Sequence, residues 1–283
     1  MITVNSLYKE YDNAIVLNNI NIRLKKGEIT GLVGPNGSGK TTLMKVISNL
    51  ILNYRGTVSL EDNSKIGILI ENPKFFPNKT GYYNLKYFSE LYNKKPENFE
   101  EIITILEMGD YLDKKVYKYS LGMKQRLGIL LALLKNPDYL LLDEPTNGMD
   151  PSGIKEILMF LEKLVKEKRI GILISSHILE DVENITDNVY LMKDGNIKGE
   201  YRNTKTSNIY QFKFEKMDLQ YAKKIIEKYG KIKIYDSYIN IQGEYNIKKL
   251  LKNLSENELY PLDVQKKKNN LATFYFDNIE ENK

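Results

Sequence analysis

The run GPNGSGKTT at residues 34–42 constrains this chain of 283 residues more than any other feature, because it matches GxxxxGK followed by serine or threonine. It lies between an apolar run typical of a β-strand, 30–33, and a helical pattern that begins at Thr41. Glycines allow successive backbone N–H groups to point at one anion, and the helix N-terminus adds partial positive charge. The run therefore predicts a loop that binds nucleotide phosphates, in preference to a glycine-rich turn that binds nothing. The residues expected to bind nucleotide are Gly34, Pro35, Asn36, Gly37, Ser38, Gly39, Lys40, Thr41 and Thr42.

A second motif supplies carboxylates for the same chemistry. The apolar run 139–142 ends in Asp143 and Glu144, and open α/β sheets bind ligands at the carboxyl ends of their strands. Asp143 and the Thr41 hydroxyl are expected to hold Mg²⁺, while Lys40 reaches the β- and γ-phosphates as a candidate catalytic residue. Glu144 is the candidate catalytic base that polarises the attacking water. An acidic strand-to-turn transition without function is the alternative, and the phosphate loop in the same chain disfavours it.

The pattern of apolar residues predicts how these motifs are arranged. Strand-like and helical segments alternate along the chain, which indicates an α/β core with a parallel sheet covered by helices. Residues 2–24 predict two strands of an antiparallel edge, and residues 73–136 predict a helical subdomain inserted into the core. The expected core strands are 30–33, 65–70, 139–142, 171–175, 188–192 and 196–199, and the expected helices are 41–50, 82–91, 99–107, 122–134, 153–168 and 179–185.

The residues after position 200 predict a separate small domain. We expect a linker at 201–208 and an α+β accessory domain at 209–283. Positive and negative side chains balance up to residue 200, so the formal net charge of +5 comes from this C-terminal part. A basic domain of this kind can meet nucleic acid or anionic lipid, although a lysine-rich solvated surface is the commoner explanation. Its expected strands are 209–214, 232–235, 238–241, 259–264 and 271–276, and its expected helices are 219–229 and 247–254.

Composition excludes several other classes of site. The chain has no cysteine and one histidine, so disulfides, thiol nucleophiles, iron–sulfur clusters and histidine-based metal cages are excluded. Its longest apolar stretch, 127–134, is far shorter than the roughly 20 residues that cross a bilayer. The first residues lack the basic and apolar regions of a signal peptide, which favours a cytoplasmic location.

The run YSLGMKQR at residues 119–126 completes a set of motifs by which residues 1–200 resemble the ATP-binding subunit of ABC transporters. The run is similar to the signature motif of that family and keeps Ser120 and Gly122. In the family, two ATP-binding domains face head to tail, and the signature of one closes over the γ-phosphate held by the other. The resemblance therefore implies that Ser120 and Gly122 act on the partner's ATP. Taken alone, Ser120 has a plainer interpretation as a helix cap.

Three further positions match the family. Residues 147–150, NGMD, resemble the D-loop, a turn that communicates between two ATP sites. His177 resembles the switch histidine that contacts the γ-phosphate, which makes it a candidate catalytic residue, against the alternative of a solvated loop histidine. Tyr11 resembles the aromatic residue that stacks on adenine, and with 21 tyrosines in the chain a core or surface role competes with that interpretation.

One position departs from the family. The strand expected at 65–70 should end in a glutamine that touches Mg²⁺ and the attacking water, and this chain has Glu71. The resemblance implies that Glu71 is a metal ligand, whereas the alternative is a carboxylate that only faces solvent. A glutamate here, together with the segment 73–82, the signature run and the C-terminal domain, resembles exporters that protect bacteria against bacitracin and lantibiotic peptides.

The resemblance implies a P-loop ABC ATPase fold with a mixed sheet core, and a function that depends on partners. It implies binding of ATP and Mg²⁺, hydrolysis at Glu144, pairing with a second ATPase subunit that is expected to be another copy of this chain, and a separate transmembrane permease. The protein would then lie at the inner face of the cell membrane, held by its permease, and no nucleic acid partner is expected.

Two other functions compete with transport. A soluble ABC ATPase acting on the ribosome or on nucleic acid is disfavoured because the chain has one ATPase cassette and no heptad repeats. A regulatory module that does not hydrolyse ATP is disfavoured because Lys40, Asp143, Glu144 and His177 are all present.

Overall fold

The computed structural model of the protein describes residues 1–12, 14–71, 74–95, 99–203, 208–243, 245–268 and 271–279. The chain divides into two compact units, one of residues 1–203 with 275–283 and one of residues 204–274. The strands of the first unit are β1 (Ile2–Tyr11), β2 (Ala14–Leu24), β3 (Ile29–Val33), β4 (Arg55–Leu60), β5 (Ile66–Leu69), β6 (Tyr139–Asp143), β7 (Gly171–Ser176), β8 (Asn188–Lys193) and β9 (Asn196–Arg202). Its helices are α1 (Lys40–Ile47), α2 (Gly81–Leu91), α3 (Glu100–Ile105), α4 (Leu121–Ala132), α5 (Pro151–Lys168) and α6 (Leu179–Glu183).

A six-stranded sheet in the order β5-β6-β7-β3-β8-β9 forms the centre of the first unit. Its strands are parallel except β9, which is antiparallel to β8, so the predicted mixed sheet is confirmed. Every residue of β3 and β7 is buried, which explains the absence of polar alternation along the run 172–174. The parallel strands end at one edge of the sheet, where they place the loop 34–39, Glu71, Asp143, Glu144 and His177.

Residues 2–24 form two antiparallel strands as predicted, but these strands belong to a sheet of their own. That sheet has the order β2-β1-β4, and its third strand, β4, was not predicted. The sequence of β4, RGTVSL, carries few apolar side chains and is mostly exposed, so it lacks the alternation that identifies a strand.

The helices α2, α3 and α4 lie between β5 and β6 in the chain, as expected for the helical subdomain. Thr80 and Ser120 begin α2 and α4 by accepting hydrogen bonds from backbone N–H groups three residues later, those of Tyr83 and Met123. The apolar sides of these helices join one buried cluster that includes Leu85. Residues 72, 73 and 96–98, which belong to the expected motif and subdomain, lie outside the described residues.

The second unit is a four-stranded antiparallel sheet with two helices. Its elements follow the order β-α-β-β-α-β, which is the split βαβ arrangement of an α+β domain. The apolar sides of the two helices and of the sheet share a buried cluster that includes Phe212, Ile239 and Leu250. In chain order the elements are β10 (Asn208–Lys213), α7 (Leu219–Ile226), β11 (Lys231–Tyr235), β12 (Tyr238–Gln242), α8 (Ile247–Glu256) and β13 (Asp263–Lys268), and the sheet order is β11-β12-β10-β13.

The predicted strand at 271–276 is wrong, because these residues begin a helix, α9 (Leu271–Ile279). A short, continuous apolar run such as LATFYF does not distinguish a strand from a helix by its periodicity. The last strand is β13, which lies further along the chain than the predicted strand 259–264. Its sequence, DVQKKK, is rich in lysine and lacks the apolar alternation from which a strand is predicted. Lysines are typical of an edge strand such as β13, since they discourage pairing with another chain.

The expected boundary between the two domains also differs from the structure. The strand β9 continues through Arg202 and β10 begins at Asn208, so the segment between them is shorter than the predicted linker 201–208. Residues 204–207 of that linker lie outside the described residues. Residues 275–283, assigned to the accessory domain from the sequence, group with the first unit. Within the part of the chain that the structure describes, no helix has the length and apolar character needed to cross a membrane.

Candidate nucleotide-binding site

The glycine-rich loop joins β3 to the first residue of α1. Gly37 and Gly39 have φ angles of 81° and 103°, a left-handed conformation that glycine adopts without steric cost. A Cβ atom at Gly34 would lie 2.0 Å from the carbonyl oxygen of Met192, so no larger residue fits there. The glycines therefore fix a tight loop at the N-terminus of α1, where unpaired N–H groups favour an anion.

Lys40 lies inside this loop and is 5% exposed. Its ammonium group donates hydrogen bonds to the carbonyl oxygens of Gly34 and Pro35, at 2.8 and 3.1 Å. Burial lowers the pKa of Lys40, and the carboxylates of Glu144 and Asp143 oppose that effect. The loop thus holds a buried cation whose neighbours include Glu144 Oε1, 3.9 Å from Nζ.

Both oxygens of the Asp143 carboxylate accept hydrogen bonds. The Thr41 hydroxyl donates to Oδ2 at 2.6 Å, and the Ser175 hydroxyl donates to Oδ1 at 2.5 Å. Ser175 also accepts a hydrogen bond from the backbone N–H of Glu144, at 2.9 Å. Ser175 therefore connects the carboxylate of Asp143 to the backbone of Glu144, a role that was not predicted. Its signal was its place at the end of the buried run 171–175, beside the strand that ends in Asp143.

Glu144 and His177, the two predicted catalytic side chains that follow β6 and β7, contact each other. His177 Nδ1 lies 3.1 Å from Glu144 Oε2. Glu144 has a φ of 48°, which is uncommon for a residue with a side chain and costs backbone energy. The structure thus places Glu144 with one carboxylate oxygen toward His177 and the other toward Lys40.

Lys40, Thr41, Asp143 and Glu144 line a cavity of about 530 Å³. Gln125 of α4 was not predicted to line this cavity; it is 6% exposed, and its Oε1 has no hydrogen-bond partner among the described residues. Leu121 lies four residues earlier on the same face of α4, and this helical spacing could have identified both from the sequence. The cavity is lined by Val16, Asn36, Gly37, Gly39, Lys40, Thr41, Thr42, Glu71, Leu121, Gln125, Asp143, Glu144 and Asn147.

Seven predicted residues are not among those that line the cavity. Four of them, Gly34, Pro35, Ser38 and His177, belong to the loop and to the contacts described above, and the other three are Tyr11, Ser120 and Gly122. Tyr11 lies at the end of β1, is 45% exposed, and has the ammonium group of Lys9 at 4.3 Å from its ring centre. Ser120 accepts a hydrogen bond from the Met123 N–H at 3.2 Å, which is the capping role. Gly122 follows in the first turn of α4. The adenine contact of Tyr11 and the action of Ser120 and Gly122 on a partner's ATP stay predictions.

Glu71 lines the cavity from the end of β5, but its carboxylate forms an ion pair with Lys45 of α1. Its side chain is 62% exposed, and its φ is 60°. The structure therefore brings Glu71 to the edge of the site while a lysine, and not the site itself, holds its carboxylate.

A family model and individual relatives indicate one family for this chain. Residues 17–147 match the family described as ABC transporter. The bacitracin transport ATP-binding protein BcrA of Enterococcus faecalis is 38% identical over 269 residues, which cover 87% of each chain. The lantibiotic transport ATP-binding protein SrtF of Streptococcus pyogenes is 37% identical over 204 residues, covering 70% of this chain and 89% of the relative.

Solved structures show the same fold. CbiO1 from Clostridium perfringens, part of the ABC transporter complex cbiONQ, is 30% identical with a TM-score of 0.63, covering 72% of this chain and 89% of the other. The dimeric structure of MJ0796, a bacterial ABC transporter cassette, has a TM-score of 0.66 over 72% of this chain and 99% of the cassette. At 24% identity that second likeness concerns the fold alone.

Proposed function

The chain belongs to the ABC transporter family as an ATP-binding protein, and we propose that it hydrolyses ATP to drive a permease formed by a separate polypeptide. The observation that carries this proposal is that Lys40, Thr41, Asp143 and Glu144 line one cavity at the carboxyl edge of a parallel sheet. Phosphoryl transfer depends mostly on positioning and on charge stabilisation, and these four side chains provide both.

The donor set at Thr41 and Asp143 fits Mg²⁺. Hydroxyl and carboxylate oxygens are the ligands that this hard cation prefers, and their contact at 2.6 Å brings them to one point. The described ranges contain no group of three or more histidine, aspartate or glutamate side chains that could hold a metal without further ligands. Phosphate oxygens and water are therefore expected to complete the shell, as is usual for Mg²⁺. The bound ion would neutralise phosphate charge.

The remaining side chains have separate roles in the proposed reaction. The loop N–H groups and Lys40 bind the phosphates and stabilise the charge that develops on them. Glu144 accepts the proton of the attacking water at Oε1, the carboxylate oxygen on the side of Lys40. His177 holds the other oxygen, Oε2, and so fixes the direction of the carboxylate. Ser175 orients Asp143 and the backbone of Glu144 together.

We propose that two copies of the chain enclose the nucleotides. Ser120 and Gly122 of one copy would then contact the γ-phosphate held by the other, since the start of α4 offers backbone N–H groups to an anion. Tyr11 is proposed to meet adenine at the rim of each site.

The transported substrate is proposed to be an antimicrobial peptide, removed as part of resistance or immunity. Support comes from BcrA, whose likeness extends over 87% of this chain and so reaches beyond the ATP-binding core. Through its permease, the protein would lie at the inner face of the cell membrane.

The test is a deletion of the gene in its host, followed by growth in bacitracin and in a lantibiotic. We expect sensitivity to at least one peptide to rise, and resistance to return with the wild-type gene but not with Glu144→Gln. Chloramphenicol, which is not a peptide, is the control and should show no change. Unchanged sensitivity to both peptides would contradict the proposed substrate class. Absence of ATPase activity in the purified protein would contradict the proposal that the chain hydrolyses ATP.

A further inference from the structure

Glu71 stands where two cavities meet. It lines the nucleotide cavity, as Thr41 and Asp143 do, and it also lines a second cavity of about 580 Å³. Lys45 and Lys135 belong to the wall of that second cavity only. A movement of the Glu71 carboxylate therefore changes the charge on both sides of this boundary.

The contact that Glu71 makes lies on the side of the second cavity. Its Oε1 forms an ion pair with the ammonium group of Lys45, which comes from the last turn of α1. The Lys45 side chain is 29% exposed and the Glu71 side chain 62%, so water and salt reach the pair and keep it a weak, reversible contact. Lys45 and Lys40 belong to the same helix, whose first turn carries the phosphate-binding lysine. The helix thus links Glu71 directly to the nucleotide loop.

The backbone of Glu71 also differs from that of an ordinary strand end. Its φ of 60° lies in the left-handed region, which a residue with a side chain rarely adopts. Such conformations persist where the surrounding structure enforces them, and they fix the direction in which the side chain leaves the main chain. The side chain of Glu71 therefore leaves the main chain in a fixed direction at the boundary between the two cavities.

We propose that Lys45 is a positioning residue, which holds Glu71 toward the second cavity and competes with the Mg²⁺ of the nucleotide site for its carboxylate. The inference rests on the proposed function, because it needs a site that binds Mg²⁺ with ATP. Two cations near one carboxylate repel each other, so closer contact of Glu71 with one weakens its contact with the other. A neutral glutamine at position 71 would not respond to Lys45 in this way.

The experiment measures equilibrium binding of a non-hydrolysable ATP analogue at increasing Mg²⁺ concentration, using the full-length protein. Replacing Lys45 by methionine should lower the half-saturating Mg²⁺ concentration about two- to fivefold, the range expected for a partly exposed ion pair. The same replacement should have no effect in a Glu71→Gln background. Lys135→Met is the matched control, since it removes a positive charge from the same cavity, where Lys135 contacts the ring of Tyr92 at 4.8 Å. It should leave the Mg²⁺ dependence unchanged.

Two outcomes would overturn the inference. The first is an equal effect of Lys45→Met in the wild-type and Glu71→Gln backgrounds, which would mean that Lys45 acts by its general field and not through Glu71. The second is no effect of Lys45→Met, or of Lys45→Gln if the methionine variant fails to fold. Failure of the wild-type protein to bind the analogue at any Mg²⁺ concentration would instead contradict the proposed function, and the two failures are thereby distinguished.

Discussion

The Thr41 hydroxyl lies 2.6 Å from Asp143 Oδ2, a hydrogen bond that joins the first turn of α1 to the end of β6. Two motifs that are far apart in the chain therefore meet at one pair of oxygen atoms. Because these are the atoms proposed to hold Mg²⁺, a small change of side chain at this contact is a direct test of the proposed metal site.

Thr41→Ala should remove a metal ligand without disturbing the backbone loop. We expect Mg²⁺-dependent ATP hydrolysis to fall about tenfold or more, corresponding to the roughly 1.5–3 kcal/mol of a hydrogen bond or contact to a charged group. Thr41→Ser retains the hydroxyl and is the matched control, with activity near wild type. Equal activity of the alanine and serine variants would remove Thr41 from the metal site.

Glu144→Gln should retain ATP binding but lose turnover, because glutamine keeps the shape of the side chain and cannot accept the proton of water. A positioned general base contributes about 10²- to 10⁴-fold, so we expect hydrolysis to fall within that range. The variant should also accumulate as an ATP-bound dimer in size-exclusion chromatography. Glu167→Gln changes an exposed glutamate of α5 that pairs with Lys163, and it should hydrolyse ATP normally. Wild-type turnover in Glu144→Gln would contradict the assignment.

Ser175→Ala should lower the stability of the folded protein as well as its rate of ATP hydrolysis. Ser175 is fully buried, and its loss leaves Asp143 Oδ1 and the Glu144 N–H without their partner. Unsatisfied buried groups cost about 1–3 kcal/mol each, which urea unfolding of the two proteins would detect. Ser176→Ala is the control in the neighbouring position, where the hydrogen bonds that the structure describes for the hydroxyl go to the backbone of Ile178, a residue 41% exposed to water. If Ser175→Ala unfolds no more easily than Ser176→Ala, Ser175 does not hold the Asp143 carboxylate and the Glu144 backbone in place.

A chain that ends at residue 203 should still bind ATP with an affinity within a few-fold of the full chain, because the residues that line the cavity all lie before residue 150. The truncation keeps the whole of β9 and removes the residues of α9 that group with the first unit, none of which lines the cavity. Tyr201 is buried in β9, and the Asn203 side chain donates to the carbonyl oxygen of Glu183 at 2.6 Å. A chain that ends at Gly199 loses both contacts and should have a lower melting temperature than the chain that ends at 203. A folded 1–203 chain that fails to bind ATP would show that later residues build the site.

The sequence predicted the parts of the site that have a fixed local pattern. The loop 34–42 and the pair Asp143 and Glu144 follow apolar strands, and both lie at the expected edge of the sheet. Ser175 and Gln125 were missed because their importance comes from neighbouring elements, the register of β7 against β6 and the approach of α4 to the loop. Their local signals, the end of a buried run for Ser175 and the helical spacing from Leu121 for Gln125, do not show which distant element each residue contacts.

In the second unit, too, the elements with a clear local pattern were predicted and those without one were not. Its helices α7 and α8 have strong amphipathic patterns and were predicted close to their observed positions. The two errors fell on sequences whose pattern is ambiguous, the apolar run that begins α9 and the lysine-rich β13. In β13 the pairing with β10 overrides a low intrinsic preference for strand.

The last prediction concerns Gln125, whose buried Oε1 has no partner in the part of the chain that the structure describes. An unpaired buried acceptor costs about 1–3 kcal/mol, and an apolar side chain of similar shape avoids that cost. Gln125→Met should therefore leave the free energy of unfolding of the nucleotide-free protein unchanged or raise it, as measured by urea denaturation.

Gln211→Met is the comparison variant, because its free energy of unfolding is expected to fall whereas that of Gln125→Met is not. The Gln211 amide donates to Asn240 Oδ1 at 3.0 Å, so replacing it removes a hydrogen bond that is made and should lower the free energy of unfolding by about 0.5–1.5 kcal/mol. With Mg²⁺ and ATP, we expect the rise in melting temperature to be smaller for Gln125→Met than for wild type, because the amide lies in the wall of the nucleotide cavity. A clear loss of stability in nucleotide-free Gln125→Met, equal to that of Gln211→Met, would mean that Gln125 is already satisfied in the free protein and is not held ready for a ligand.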